Sequence, residues 1–565
     1  MKFSQMPYAR PSADEVITKL TSLLERFKFA GTLKSAIDVY ADIDAVMSNV
    51  STLQSLCYIR HTLNTEDKFY SAEQDFWDEN APKLQGIIQE INLALLETPY
   101  RAELEREWGR VMFLNTEISL KTFSPEIIPL LEQENKLTTE YDKLLSGAKI
   151  EFGGKTLTLS QLSPYHQSEN REVRRASYAA RGEWFNGNKA RLDTLFDELT
   201  VLRTKIAKTL GYGSFTELGY YRMTRNCYTA EDVGKFREAV KKYIVPLAAR
   251  IKAAQAARIS QERPDGKIAL FDDPFEFPDG NAKPTGTPDE ILAAGKKMYH
   301  ELSPETAEFI DFMYDNELFD VLSLPGKSPG GYCIDIPDYK SEFIFANFNG
   351  TSGDVDVLTH EAGHAFAGYI SRDVFPSDLR QYTNETAETH SMSMEFFTHP
   401  WMELYFGGAA KKYRYSHLTD MVTFIPYGVM VDEFQHIIYE RPELTPEQRC
   451  EVWRKLEAEY RPWLDASETP FYCDGRRWQA QAHIYESPFY YIDYCLAETM
   501  ALSFWAEDER NHTDAWAKYR RFVGFAGTKT FTELIADSGM GSPFDESTLK
   551  TIAETAVAWL AGNEV

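Results

Sequence analysis

No stretch of about 18 apolar residues occurs anywhere in the 565 positions, so the sequence holds no candidate membrane-spanning helix. The opening segment, Met1 to Glu15, lacks the apolar core of a secretory signal. Cysteine is scarce and scattered. Cys57, Cys227, Cys333, Cys450, Cys473 and Cys495 form no C-x-x-C pair, which argues for thiols of a reducing compartment and against a disulfide framework. The cytoplasm is the expected location. Positive charge is short as well: 60 Lys and Arg face 86 Asp and Glu, leaving a net charge of −26. A nucleic-acid binder needs a basic face to meet phosphates, and this balance excludes that class. Neither a fixed-period repeat nor a low-complexity linker is present.

What the chain does have is core-forming material and rings. Hydrophobic residues reach 43%, which excludes bulk disorder, and 31 Tyr with 35 Phe suit either a ring-rich core or a lined cavity. Helical periodicity dominates. Ser12 and Glu15 have the spacing of a capping box, and Val16, Leu20, Leu23, Leu24 and Phe27 follow at helical intervals. Similar patterns predict helices over roughly 33–63, 67–97, 124–145, 169–210 and 229–260, so the first 250 residues read as wholly helical. Residues 272–287 are too rich in Pro, Gly and Asp for a regular element. Helices are predicted again at about 288–302 and 304–316, then a loop over 324–331. Two extended segments follow, from Tyr332 and from Ser341 to Phe348, separated by a Pro-Asp turn. The expected fold is mainly α with one small sheet at about 332–348. The expected division is a helical half, 1–270, and a second half, 271–565, within one continuous body.

Directly after the sheet, His360, Glu361, Ala362, Gly363 and His364 match H-E-x-x-H. Residues four apart stand on one helical face, so both imidazoles reach one ion. Glu361 lies one step round, where a carboxylate can take a proton from an attacking water and pass it to a leaving amine. Such a pentapeptide arises by chance in about 2% of chains of this composition, so its surroundings must decide. A catalytic zinc takes three protein ligands and keeps one position open. The metzincin extension would need Gly at 367 and His at 370, where this chain has Ala367 and Ile370. A carboxylate from a returning antiparallel helix is the alternative. The turn over 371–378 and a return of similar length point to Asn384–Ser391. Glu385, Glu388 and Glu395 share a face there. His390, about 200° from Glu388, does not. Geometry leaves Glu385 and Glu388 as candidates.

The HEAGH pentapeptide with ETAETHSMSMEFF at 385–397 resembles the thimet oligopeptidase family of zinc metallopeptidases, in its oligoendopeptidase F branch. The resemblance implies Glu388 as the zinc carboxylate, from an E-x-x-S-x-x-x-E stretch ending at Glu395, and places Glu395 and Glu385 around it. It implies an elongated helical body with a deep central channel, residues 1–270 forming one wall. A second, weaker match runs from His483 to Tyr494. By it, His483, Tyr491 and Tyr494 supply donors to the substrate carbonyl, with Tyr485 and Tyr490 as stand-ins for a further family tyrosine. An oxyanion needs a neutral donor besides the metal, and a phenol suits.

An edge strand pairing with extended substrate would serve such an enzyme. The segment from Phe343 to Gly350, including Ala346, is the candidate. The expected activity is zinc-dependent hydrolysis of internal bonds in short peptides, one Zn2+ per chain, although cobalt or manganese suits the same ligands. A carboxypeptidase or peptidyl-dipeptidase on the same architecture would need a cationic anchor for the substrate C-terminus, which the sequence does not reveal. A non-catalytic helical protein with a structural zinc would need four ligands, and only three and a base are present.

Overall fold

The computed structural model describes residues 1–565 apart from Pro325 and Pro329, and leaves out the side chains of Asp78, Pro82, Asp142, Ser146, Ser160 and Ala526. Part of the expected 324–331 loop therefore lies outside the described residues. Helices carry most of the chain. Ser12 caps the helix Ala13–Lys28 by accepting from the Glu15 amide, and the next helices are Leu33–Leu63 and Lys68–Glu97. Among the described residues, no helix is long and apolar enough to cross a membrane.

Two compact units result, and each is assembled from three separate segments. The first comprises Met1–Leu120, Lys283–Ala410 and Met500–Ser542; the second comprises Lys121–Ala282, Lys411–Thr499 and Pro543–Val565. This differs from a division at residue 270. The reason is visible in the core of the first unit. Leu20, Leu24 and Phe27 pack with Tyr40, Ile43, Ile91 and Trp108, and the same cluster includes Leu379 from far along the chain.

The first unit holds a three-stranded sheet of β4 (Phe319–Leu322), β5 (Tyr332–Ile336) and β6 (Ser341–Phe348) in the order β4-β6-β5. β6 runs antiparallel to β5, from Ile336 opposite Ser341 to Tyr332 opposite Phe345, and parallel to β4. The sequence signal missed β4, whose four residues are too few to show a period. The second unit has two helices of 39 and 31 residues, Arg171–Thr209 and Ala410–Glu440, the latter with Pro426 in its interior. It also contains the hairpin β1 (Ile150–Phe152) with β2 (Lys155–Leu157), and the short parallel pair β3 (Ile268–Ala269) with β7 (Leu464–Asp465). The hairpin interrupts the stretch expected to be wholly helical. Its turn uses Gly153 and Gly154, both at positive φ, which glycine adopts without strain.

Candidate active site

β6 ends in a tight turn into the helix Gly353–Ser371. Asp354 shapes it, accepting from the Asn349 amide at 2.7 Å and from the Gly350 amide at 2.8 Å. Gly350 has φ +82°, a region that disfavours side chains. The helix then carries His360, Glu361 and His364. After the reversal, Asn384–Phe397 returns as a helix buried along almost its whole length. The two helices meet at Gly363. A Cβ there would lie 2.6 Å from the Ser391 Cα and 2.7 Å from the His390 carbonyl oxygen, so only glycine permits this approach.

That approach brings three ligand atoms together. Nε2 of His360 lies 3.3 Å from Oε2 of Glu388, and Nε2 of His364 lies 3.7 Å from the same oxygen. One ligand atom from each of the three residues falls within 4.8 Å of the others. Two ligands about 2.05 Å from a tetrahedral zinc stand roughly 3.3 Å apart, so the donor set fits a small divalent ion in spacing and type. Two of the three residues are oriented from behind. His360 Nδ1 donates to Oε1 of Glu395 at 2.7 Å, which turns Nε2 toward the site. Ser391 Oγ donates to Oε2 of Glu388 at 3.2 Å.

Glu385 is placed differently. It is fully buried, and its Oε1 accepts from Thr383 Oγ1 at 2.7 Å. His390 is buried against Tyr382 and Phe522 and is not one of the three converging residues. Electrostatics separate the two site histidines. Burial opposes charge on both; at His360 the adjacent Glu388 and Glu395 outweigh it and raise the pKa well above the usual imidazole value. At His364 burial prevails and holds the ring down to about 4. Glu361 stands beside the cluster with 7% of its surface exposed. Burial pushes its carboxyl up to about 7, which the charge of His360 opposes.

β6 is the inner strand of the sheet: Ser341–Phe345 pairs with β5, and Ile344, Phe345 and Phe348 pair with β4. Ala346 is 1% exposed, and its carbonyl accepts from Lys327 Nζ at 2.7 Å. Gly350 serves the turn.

In the second unit, a short helix Ala482–Glu486 and the start of the helix Tyr491–Asp508 carry the tyrosine-rich segment. The His483 ring is surrounded by Tyr490, Tyr491 and Tyr494 at centroid distances of 5.4, 5.1 and 5.8 Å. Tyr490 and Tyr494 also meet at 4.8 Å. Tyr485 does not join them. Its ring stacks on Tyr141 at 4.0 Å and its hydroxyl donates to the Leu192 carbonyl at 3.1 Å. Sequence reasoning missed the role of Ser391, although its spacing of three from Glu388 on one helix is a readable signal.

Comparison with known proteins identifies the family. Peptidase family M3 matches residues 165–554, and the peptidase M3 N-terminal domain matches residues 3–123. An X-ray structure assigned to oligoendopeptidase F superposes with a TM-score of 0.94 at 45% identity, covering 99% of each chain. Pz peptidase A with an inhibitor gives a TM-score of 0.94 at 44% identity over 99% of each chain. A structure assigned to oligoendopeptidase F of Bacillus anthracis strain Ames gives 0.89 at 44%, covering 100% of this chain and 98% of the other. No curated protein matches the chain. The chain belongs to peptidase family M3, in its oligoendopeptidase F branch. It is a metalloendopeptidase that hydrolyses bonds within oligopeptides.

Proposed function

We propose that His360, His364 and Glu388 hold one zinc ion and that Glu361 is the general base of peptide hydrolysis. The observation that carries this reading is the convergence of two imidazole Nε2 atoms on one Glu388 oxygen, with Glu361 beside them. When bound, the ion would polarise the scissile carbonyl as a Lewis acid. Glu361 takes the proton from the attacking water and delivers it to the departing amine. Its largely buried setting raises the carboxyl toward neutrality, which keeps the carboxylate basic enough for both transfers. Glu395 and Ser391 hold the ligand side chains in register. Tyr494 and Tyr491, with His483, donate to the oxygen that gains charge as the carbonyl becomes tetrahedral. Their grouping around one imidazole supports a shared role, as does the family resemblance of the segment. Burial raises the Tyr491 pKa well above the usual phenol value, which keeps it a neutral donor. The substrates are short peptides. Six free cysteines support a reducing, cytoplasmic setting.

A decapeptide blocked by a C-terminal amide tests the reading. Internal cleavage, mapped by mass spectrometry, is expected; it stops with a chelator and returns with zinc. Release of single residues or dipeptides from free C-termini alone, or turnover that survives metal removal, would contradict it.

A further inference from the structure

The second unit contains two guanidiniums with buried nitrogens left unpartnered. Buried nitrogens of Arg181 (Nε) and Arg477 (Nη1) have no hydrogen-bond partner, and neither side chain makes an ion pair among the described residues. Nearby acids are already engaged. Arg461 binds Glu457 at 3.2 Å and Asp273 at 3.4 Å, Lys252 binds Asp273 at 3.1 Å, and Arg476 binds Asp193 at 3.0 Å. Two further polar groups in the same neighbourhood are orphaned. The Tyr472 hydroxyl and His166 Nε2 are buried without partners, on residues only 5% and 6% exposed. Tyr178 links them, its ring 4.2 Å from His166 and 6.1 Å from Tyr472, and the charges of both Arg181 and Arg477 act on its phenol. Burial, reinforced by Arg181, holds His166 down to about 4, so it offers a neutral ring.

Buried N–H donors without an acceptor are costly, and although the charge of Glu457 acts on Arg477, these nitrogens are left for an acceptor to join. Both arginines retain some exposure, so an anion can arrive from solvent. Guanidiniums suit a planar pair of oxygens, which is a carboxylate. Position indicates whose carboxylate it is. Arg477 lies over the Tyr427 ring at 4.7 Å, and that ring meets Tyr491 edge-on at 5.9 Å. We propose that Arg181 and Arg477, with the Tyr472 hydroxyl, form a subsite for a carboxylate of the peptide substrate. The assignment rests on Tyr491 acting at the scissile bond. It adds an anchor for one end of the substrate without making the enzyme dependent on it.

Four peptides of one sequence test this, ending in a free carboxylate or an amide, and carrying an internal Glu or Gln. KM is measured on the wild type and on an Arg181→Gln, Arg477→Gln double variant. Dissociation constants are measured on Glu361→Gln with and without the arginine changes. The free acid, or failing that the Glu peptide, is expected to bind about tenfold or more tightly than its neutral counterpart. The double variant erases that difference, and its zinc content stays unchanged. The end group and the Glu arm tell a C-terminal carboxylate from a side chain, and either supports the subsite. Equal affinity for all four peptides, or a preference that survives the double variant, would overturn the proposal. Loss of turnover with that affinity difference intact would count against the catalytic assignment instead.

Discussion

Glu385 and Glu388 lie three residues apart on one helix, and both were candidate metal ligands by spacing alone. The fold separates them: Glu388 faces both imidazoles, whereas Glu385 is tied to Thr383. Glu388→Gln is therefore expected to lose most of its metal, while Glu385→Gln keeps it; metal content by atomic absorption checks both, and the reverse result would move the ligand to Glu385. Tyr494→Phe should lower kcat by about 10²–10³ and change KM little, because a donor aimed at developing charge acts mainly in the transition state. Steady-state kinetics decide this, and an effect confined to KM would place Tyr494 in general substrate binding. At this scale the site was largely readable, since i, i+3 and i, i+4 spacings on helices translate directly into shared faces. Tyr485 was not readable. Its sequence neighbours are those of the cluster, but stacking on Tyr141, 344 positions earlier, takes it into the core.

Among the elements, the contact of the two site helices depends on one missing side chain. Gly363→Ala would force a Cβ into the Ser391 backbone, and overpacking of this kind costs about 1–3 kcal/mol. Thermal unfolding should show a lowered Tm, and metal affinity should fall with it because the helices bearing His364 and Glu388 are pushed apart. An unchanged melting curve and metal affinity would show that the helices can shift freely. Helix extents followed the sequence closely, as at Leu33–Leu63 and Pro288–Leu302, because long amphipathic periods and caps are local signals. Strand order is not local. The alternation over 341–348 marks a strand, but only its pairing with β4 as well as β5 reveals an inner one, and β4 was too short to see.

For the whole molecule, the composition of the two units was the least legible feature. Nothing in a linear pattern joins residues 1–120 to 283–410, since that union depends on packing between side chains far apart in sequence. Access to the site sets the substrate. His360 and His364 side chains are 24% and 22% exposed, and the proposed site is expected to take an extended peptide and to refuse a stable folded protein. Peptides of roughly 5–20 residues, spanning about 3.3 Å per residue, should be cut while native globular proteins remain intact at equal enzyme and time. Rapid internal cutting of a stable folded protein, followed by gel and mass spectrometry, would contradict that. The central claim, a metal held by His360, His364 and Glu388 with Glu361 as base and not ligand, is tested most directly by Glu361→Gln. Zinc content and peptide turnover are measured on one preparation of that variant. Full zinc occupancy with nearly all turnover lost is the predicted result; loss of the metal, or ordinary turnover, would contradict the account.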